Sequence, residues 1–190
     1  MMRFAFPAGF DALIARSLSI LGPAAAAMAA VVVASNILVQ FPINDWLTWG
    51  AFSYPLAFLI TDLCNRRLGP QAARRVIGVG FALAVILSLW LATPRIALAS
   101  GLAFLLAQLL DVAVFHRLRH RPRWWLPPLL SSGLGSLLDT GLFFAVAFAG
   151  SGLPWLGWAL GDLGVKLGMA LLMLVPFCGA LALERRLGMA

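Results

Sequence analysis

Residues 126–149 read LPPLLSSGLGSLLDTGLFFAVAFA, an apolar stretch interrupted by a few small polar residues and one aspartate. Its length matches the roughly 20 residues that a helix needs to cross the hydrocarbon core of a bilayer. A lone segment in hydrocarbon must satisfy its own backbone hydrogen bonds, so it is expected to be helical. A membrane β-barrel would instead alternate polar and apolar residues over about ten positions. The stretch therefore predicts a transmembrane helix.

Five further apolar runs share this character. Of the 190 residues, 62% are hydrophobic and 11% are charged, whereas a soluble domain carries roughly 25% charged residues. The sequence therefore predicts a single all-α domain over residues 1–190, an integral membrane bundle of six transmembrane helices. The six predicted spans are Ser17 to Gln40, Trp46 to Leu63, Val76 to Thr93, Ile96 to Phe115, Leu126 to Ala149 and Trp155 to Leu183.

Basic residues occur in alternate connections between these runs. One side of the predicted membrane would carry Arg3, Arg16, Arg66, Arg67, Arg74, Arg75, Arg117, Arg119, Arg121, Arg123, Arg185 and Arg186. The other side has only Arg95 at a short turn. Arginine and lysine are enriched in cytoplasmic loops, so both termini are predicted to be cytoplasmic. The net charge of +7 then reflects membrane topology, and the expected partner is the lipid bilayer, with no nucleic acid.

Enzymatic chemistry finds no support in the sequence. An intramembrane serine protease needs a histidine within a span, but His116 and His120 lie in or beside the arginine-rich fourth connection. There is no phosphate-binding glycine loop with its lysine and no His-Glu-x-x-His motif. Cys64 and Cys178 lack metal-ligand spacing. We expect no catalytic residue, no metal site and no cofactor, and the protein is predicted not to be an enzyme.

Polar residues within the spans are the best candidates for function, because a central charge costs roughly 2.5 to 3.5 kcal/mol on insertion scales. Asp139 lies near the middle of the fifth span, and Ser132 and Ser136 share its helical face. This polar stripe is expected to face the bundle or a cavity. Ser131, Gly135 and Asp139 are also four residues apart, and small residues at that spacing favour close helix packing.

Other polar pairs follow the same helical spacing. Gln108 and Asp111 point the same way in the fourth span, and Asn36 and Gln40 share a face at the outer end of the first. Two more pairs are four residues apart and predict ion pairs: Asp62 with Arg66 at the end of the second span, and Asp162 with Lys166 at the start of the sixth. The second pair is equally suited to binding a substrate.

The order of these residues resembles the queuosine precursor transporter family, also called the vitamin uptake transporter family. The segments that carry the resemblance are TWGAFSYPLAFLITDLCNRRLG from Thr48, RIALASGLAFLLAQLLDVAVFHRLR from Arg95, RWWLPPLLSSGLGSLLDTGLFFAVAFAG from Arg123 and GDLGVKL from Gly161. The resemblance extends from the first span to about Phe177. The outer loop after Gly150 is short for the family.

The resemblance implies a bacterial inner-membrane importer that salvages 7-cyano-7-deazaguanine or its aminomethyl relative for the tRNA base queuosine. It also implies a six-helix architecture like that of the substrate-binding subunits of energy-coupling-factor transporters. Two modes of action remain open: a secondary transporter that works alone, or a binding subunit that needs a separate ATP-driven module. Assembly into a homo-oligomer is also open.

The chemistry of a flat deazaguanine is compatible with the polar residues. A carboxylate such as Asp139 or Asp111 can accept the two parallel N–H donors of the ring, and Gln108 or Gln40 can serve the carbonyl side. An aromatic side chain can stack on the ring. The predicted substrate-binding residues are Asp139, Gln108, Asp111, Lys166, Asp162, Ser136, Asn36 and Gln40, together with the aromatic Tyr54 and Phe58.

Overall fold

The computed structural model describes residues 10–38, 41–44, 47–91 and 93–187. Helices dominate this part of the chain, as predicted. One small antiparallel hairpin follows the first helix, and the sequence analysis did not anticipate it. The elements are α1 (Phe10–Leu38), β1 (Pro42–Asn44), β2 (Leu47–Thr48), α2 (Gly50–Ser53), α3 (Leu56–Leu68), α4 (Pro70–Leu91), α5 (Pro94–Leu118), α6 (Leu126–Phe148) and α7 (Trp155–Arg186).

Four helices in the described ranges are long and apolar enough to cross a bilayer. They are α5, α6 and α7 in full and Pro70–Leu87 of α4, and α1 adds a shorter apolar segment, Leu21–Ser35. These four helices correspond to the third to sixth predicted spans. Large apolar side chains cover their outer faces, and Trp90, Leu160 and Val175 are 82%, 71% and 70% exposed. An apolar exterior of this extent suits contact with lipid.

The second predicted span is not one continuous helix, so that prediction is wrong in detail. Its apolar run is divided into β2, α2 and α3, with a turn at Tyr54 and Pro55. Proline has no backbone N–H and interrupts the helical hydrogen-bond ladder. At the start of α3, the Phe58 N–H donates to the Pro55 carbonyl at 3.2 Å. Gly69, at φ 85°, ends α3 and allows α4 to begin at Pro70.

Hydrogen bonds fix how α3 lies against α5. The Thr61 hydroxyl donates to Gln108 Oε1 at 2.7 Å, and one turn later Asn65 Nδ2 donates to the Val112 carbonyl at 2.9 Å. Each pair is separated by 47 residues, so α3 and α5 run parallel. The main apolar core lies beside them and includes Phe104, Ile77, Met28, Ala57 and Val112.

Arginines join helices at both ends of the bundle. At the arginine-rich end, where α3 and α7 finish and α4 begins, Arg67 donates to Glu184 and Arg119 donates to the carbonyls of Asn65 and Arg66. At the opposite end, which we call the hairpin end because it carries β1 and β2, Arg95 donates to the Val146 and Ala149 carbonyls at 2.8 and 2.7 Å. These carbonyls lack intrahelical partners at the end of α6, so Arg95 satisfies them.

Candidate functional site

A buried lysine lies at the centre of the first polar group, which we call the lysine cluster. Lys166 Nζ on α7 is 2.7 Å from Asp139 Oδ2 on α6 and 2.5 Å from Asp162 Oδ2 one turn earlier on α7. Lys166 and Asp139 are only 6% and 5% exposed. The expected pairing of Asp162 with Lys166 is therefore present, and Asp139 is an additional partner that spacing along one helix could not identify.

Two uncharged side chains complete the lysine cluster. Thr140 accepts a hydrogen bond from Lys166 Nζ at 3.2 Å and donates one to Asp162 Oδ2 at 2.7 Å. The Tyr54 hydroxyl donates to Asp139 Oδ1 at 3.2 Å, and Lys166 Nζ lies 5.5 Å from the centre of the Tyr54 ring. All three hydrogens of the Lys166 ammonium thus have an oxygen to bond, and both Asp139 oxygens are engaged.

A second polar group, the carboxyl cluster, lies nearer the arginine-rich end. Ser131 and Ser132 on α6 donate to the two oxygens of Asp62 at 3.1 and 3.4 Å. Asp62 and Asp111 are both buried, and each lies between the hydrogen bonds that join Thr61 to Gln108 and Asn65 to Val112. The carboxyl cluster consists of Thr61, Asp62 and Asn65 on α3, Gln108 and Asp111 on α5, and Ser131 and Ser132 on α6.

Four buried polar atoms in the carboxyl cluster have no hydrogen-bond partner among the described residues. They are both carboxyl oxygens of Asp111, Nε2 of Gln108 and Oδ1 of Asn65. All three side chains are 0% exposed. Because most buried polar groups in proteins are satisfied, this concentration of free donors and acceptors makes the carboxyl cluster the candidate binding site.

The two clusters are separated by one close contact between α3 and α6. Gly135 lies against Phe58, and a Cβ atom built at Gly135 would be 2.7 Å from Phe58 Cε1. Three contacts join residues 54–62 to α6 at intervals of four residues along each segment: Tyr54 with Asp139, Phe58 with Gly135, and Asp62 with Ser131. The close packing expected from the spacing of Ser131, Gly135 and Asp139 is therefore observed.

Of the remaining predicted residues, some are buried in the bundle and others lie outside the described residues. Ser136 is buried on α6, one turn after Ser132. Phe58 is 2% exposed and packs against protein on its Gly135 side. Gln40 and the side chain of Asn36 lie outside the part of the chain that is described. The predicted residues thus form two groups, Tyr54, Asp139, Asp162 and Lys166 in one and Gln108 and Asp111 in the other.

The predicted ion pair between Asp62 and Arg66 is wrong. Asp62 instead accepts the serine hydroxyls of α6, and Arg66 Nε lies 3.7 Å from Glu184 Oε2 on α7. Sequence analysis left Asp62, Asn65 and Thr140 out of the candidate site. The signal for the first two was present, since Thr61, Asp62 and Asn65 are polar residues on one side of a short apolar helix.

The donor and acceptor set of the carboxyl cluster suits a planar molecule with several N–H groups and a carbonyl. It does not resemble a transition-metal centre. Within the described ranges, no three histidine, cysteine, aspartate or glutamate side chains are grouped closely enough to hold a metal ion.

Comparison with known proteins gives a consistent result. A family described as "Putative vitamin uptake transporter" matches residues 48–93 and 88–181. A queuosine precursor transporter of Escherichia coli (strain K12) is 37% identical, with 80% of this chain and 81% of that protein covered. A probable queuosine precursor transporter of Haemophilus influenzae is 35% identical, with 78% and 80% covered.

A third relative, a probable queuosine precursor transporter of Bacillus subtilis (strain 168), is 31% identical over 54% of this chain and 57% of that protein. No solved structure matches the chain. The family matches extend from residue 48 to residue 181 in α7 and include both polar clusters. The chain therefore belongs to the queuosine precursor transporter family, also called the vitamin uptake transporter family.

Proposed function

We propose that this protein imports a queuosine precursor, 7-cyano-7-deazaguanine or 7-aminomethyl-7-deazaguanine, across the bacterial inner membrane. The names of the relatives support the substrate class. The proposed topology has six crossings, in which α1 and the α2 to α3 segment join the four long apolar helices, and both termini are cytoplasmic. The arginine-rich end then faces the cytoplasm, and the hairpin end faces outward.

The unpartnered atoms of the carboxyl cluster are the observation that carries this proposal. A deazaguanine presents a carbonyl oxygen next to two parallel N–H donors. Asp111 offers two free acceptor oxygens for the donors, and Gln108 Nε2 offers a free donor for the carbonyl. Asn65 Oδ1 can accept a further hydrogen from the ring amino group. Binding would satisfy each of these atoms without breaking a hydrogen bond within the protein.

The lysine cluster is less suited to bind the edge of the deazaguanine that carries the carbonyl and the N–H groups, which we call the base edge. The Lys166 ammonium is already bonded to Asp139, Asp162 and Thr140, so a ligand would have to displace one of them. We therefore assign the base edge to Asp111 and Gln108. The other predicted residues, Tyr54 and Phe58 among them, are proposed to line the route from the hairpin end, with Lys166 and Asp139 as its charged section.

We propose that the protein acts as a secondary transporter. The alternative is a substrate-binding subunit, similar in architecture to those of energy-coupling-factor transporters, that depends on an ATP-driven module. Uptake by the protein in a host without any such module, or in liposomes without ATP, separates these modes. Transport that required added ATP and a partner protein would establish the alternative.

Queuosine rescue tests the function directly. The chain is expressed in bacteria that can neither synthesise nor import the precursor, and each precursor is added to the medium. We expect queuosine to reappear in tRNA only when both the chain and the precursor are present. A double variant, Gln108→Leu with Asp111→Asn, is the matched control and should insert into the membrane but give little rescue. Absence of rescue by the wild-type protein, despite membrane insertion, would refute the proposed function.

A further inference from the structure

Two carboxylic acids lie in the carboxyl cluster. Asp62 on α3 and Asp111 on α5 are 1% and 0% exposed, and both lie between the hydrogen bonds that join Thr61 to Gln108 and Asn65 to Val112. The hydroxyls of Ser131 and Ser132 reach Asp62, and the Asp111 oxygens have no hydrogen-bond partner among the described residues. Nothing in the proposed reading of the base edge requires Asp62.

No cation described in the structure neutralises this pair. The salt bridges among the described residues join Glu184 with Arg66 and Arg67, and Lys166 with Asp139 and Asp162. The Arg119 guanidinium bonds backbone carbonyls near the end of α3. Among the described residues of α6, Ser131 and Ser132 donate their hydroxyls to Asp62. The packed faces of α1 and α4 contribute apolar core residues such as Met28, Val32, Ala73, Val76 and Ile77.

Two carboxylates in this cluster resist being ionised together while it is closed to water, because burial disfavours the charge and the second charge adds like-charge repulsion. Carboxyl pairs of this kind share one proton. We propose that Asp62 and Asp111 hold a single proton between them and form the site at which proton movement is coupled to transport. This inference rests on the proposed secondary transport and names its coupling ion.

The coupling follows from the different surroundings of the two acids. A proton held on Asp62 leaves Asp111 as the single carboxylate that accepts the two N–H donors of the substrate. Loss of that proton adds a second negative charge to the cluster that contains Asp111, and this repulsion disfavours the state in which the substrate is bound. Proton and substrate therefore bind together, and when the cluster opens to the cytoplasm the proton passes to water as the substrate leaves. No bond other than the O–H of the carboxyl group is made or broken.

The test uses purified protein in liposomes with labelled 7-cyano-7-deazaguanine. Counterflow, in which unlabelled substrate inside draws labelled substrate in, reports substrate binding and crossing without a proton gradient. Accumulation driven by an alkaline interior reports coupling. At one proton per substrate, each pH unit supports about tenfold accumulation, since both gradients then balance. A pH-sensitive dye inside the liposomes should record acidification when substrate is added.

The Asp62→Asn variant mimics the protonated acid and cannot release the proton. We expect it to retain counterflow and to lose the accumulation driven by the pH gradient. Glu184→Gln is the matched control, because Glu184 is a buried acid outside the pair, and its partners among the described residues are Arg66 and Arg67 at the arginine-rich end. It should keep both activities.

Several outcomes overturn the proposal. Gradient-driven accumulation by Asp62→Asn equal to that of the wild type would remove Asp62 from coupling. If that variant fails to fold, the wild-type measurement still decides, because accumulation without acidification, or with a sodium gradient alone, contradicts a proton-coupled pair. Absence of wild-type counterflow would instead refute the proposed function, so the two failures are distinguishable.

Discussion

The ring of Phe58 lies against Gly135, and this contact brings α3 and α6 together between the lysine cluster and the carboxyl cluster. A Cβ atom at Gly135 would lie 2.7 Å from Phe58 Cε1 and 3.3 Å from the Ala107 carbonyl oxygen. Only glycine leaves room for both. The contact sets the register in which Tyr54 meets Asp139 and Asp62 meets Ser131.

Gly135→Ala should therefore disturb both clusters. Overpacking of this kind costs about 1 to 3 kcal/mol, and we expect a lower thermal unfolding temperature in detergent together with reduced uptake. Gly141→Ala, on the same helix, is the control because nothing lies within 4 Å of the added atom. Equal stability of the two variants would contradict the close contact, whereas recovery on adding Phe58→Leu would support it.

Lys166→Met should be the most damaging change in the lysine cluster. It leaves Asp139 and Asp162 without their shared cation, and removing one partner of a buried ion pair costs about 3 to 5 kcal/mol. Asp139→Asn or Asp162→Asn alone leaves a balanced lysine and carboxylate pair and should unfold at a higher temperature than Lys166→Met. Thermal unfolding of all three variants checks this order.

A combined variant separates structure from transport in the same cluster. Lys166→Met with Asp139→Asn and Asp162→Asn carries no charge in the cluster, so we expect most of the lost stability to return. Uptake should stay low if these side chains line the substrate route. Recovery of full transport in this variant would show that the cluster acts only in folding.

Gln108→Leu should impair transport without destabilising the protein. Nε2 of Gln108 has no partner among the described residues, so the substitution removes an unsatisfied donor, and Thr61 can turn its hydroxyl to a carbonyl of its own helix. We expect a KM for uptake raised about tenfold, equivalent to roughly 1.4 kcal/mol. Ser35→Ala, which removes a buried hydroxyl bonded to Ser53, should leave KM unchanged. An unaltered KM in Gln108→Leu would exclude Gln108 from substrate contact.

Cysteine labelling checks the proposed orientation. In a background with Cys64 and Cys178 replaced by alanine, cysteines at Arg74 and Arg121, which are exposed, should react with an impermeant reagent only after the cells are opened. A cysteine at Leu153, exposed in the connection at the hairpin end, should react in intact cells. The reverse pattern would contradict cytoplasmic termini.

Helix α4 to helix α7 could be predicted from the sequence because each is a long apolar run whose length alone indicates a membrane helix. The break at Tyr54 and Pro55 does not follow from hydropathy, because one proline leaves an apolar run hydrophobic enough to be predicted as a membrane span. Local spacing also found the pairing of Asp162 with Lys166, which are one turn apart on α7.

Contacts between helices could not be obtained in this way. The pairing of Lys166 with Asp139 depends on the register of α7 against α6, and the partner of Arg67 is Glu184, 117 residues away. Spacing along the helix pairs Asp62 with Arg66, whereas in the folded protein Ser131 and Ser132 of α6 donate to Asp62. Residue spacing within one helix cannot show whether a side chain pairs with a neighbour on that helix or with a residue of another helix.

The charges of the lysine cluster also constrain how the chain enters the membrane during synthesis. Asp139 and Lys166 belong to consecutive helices that are joined only by residues 149–154. If α6 left the insertion machinery alone, it would carry an uncompensated carboxylate into the lipid at roughly 2.5 to 3.5 kcal/mol. If it waited for α7, the two charges could enter together as a pair. We therefore expect α6 and α7 to partition into the bilayer as one helical hairpin, after the earlier helices.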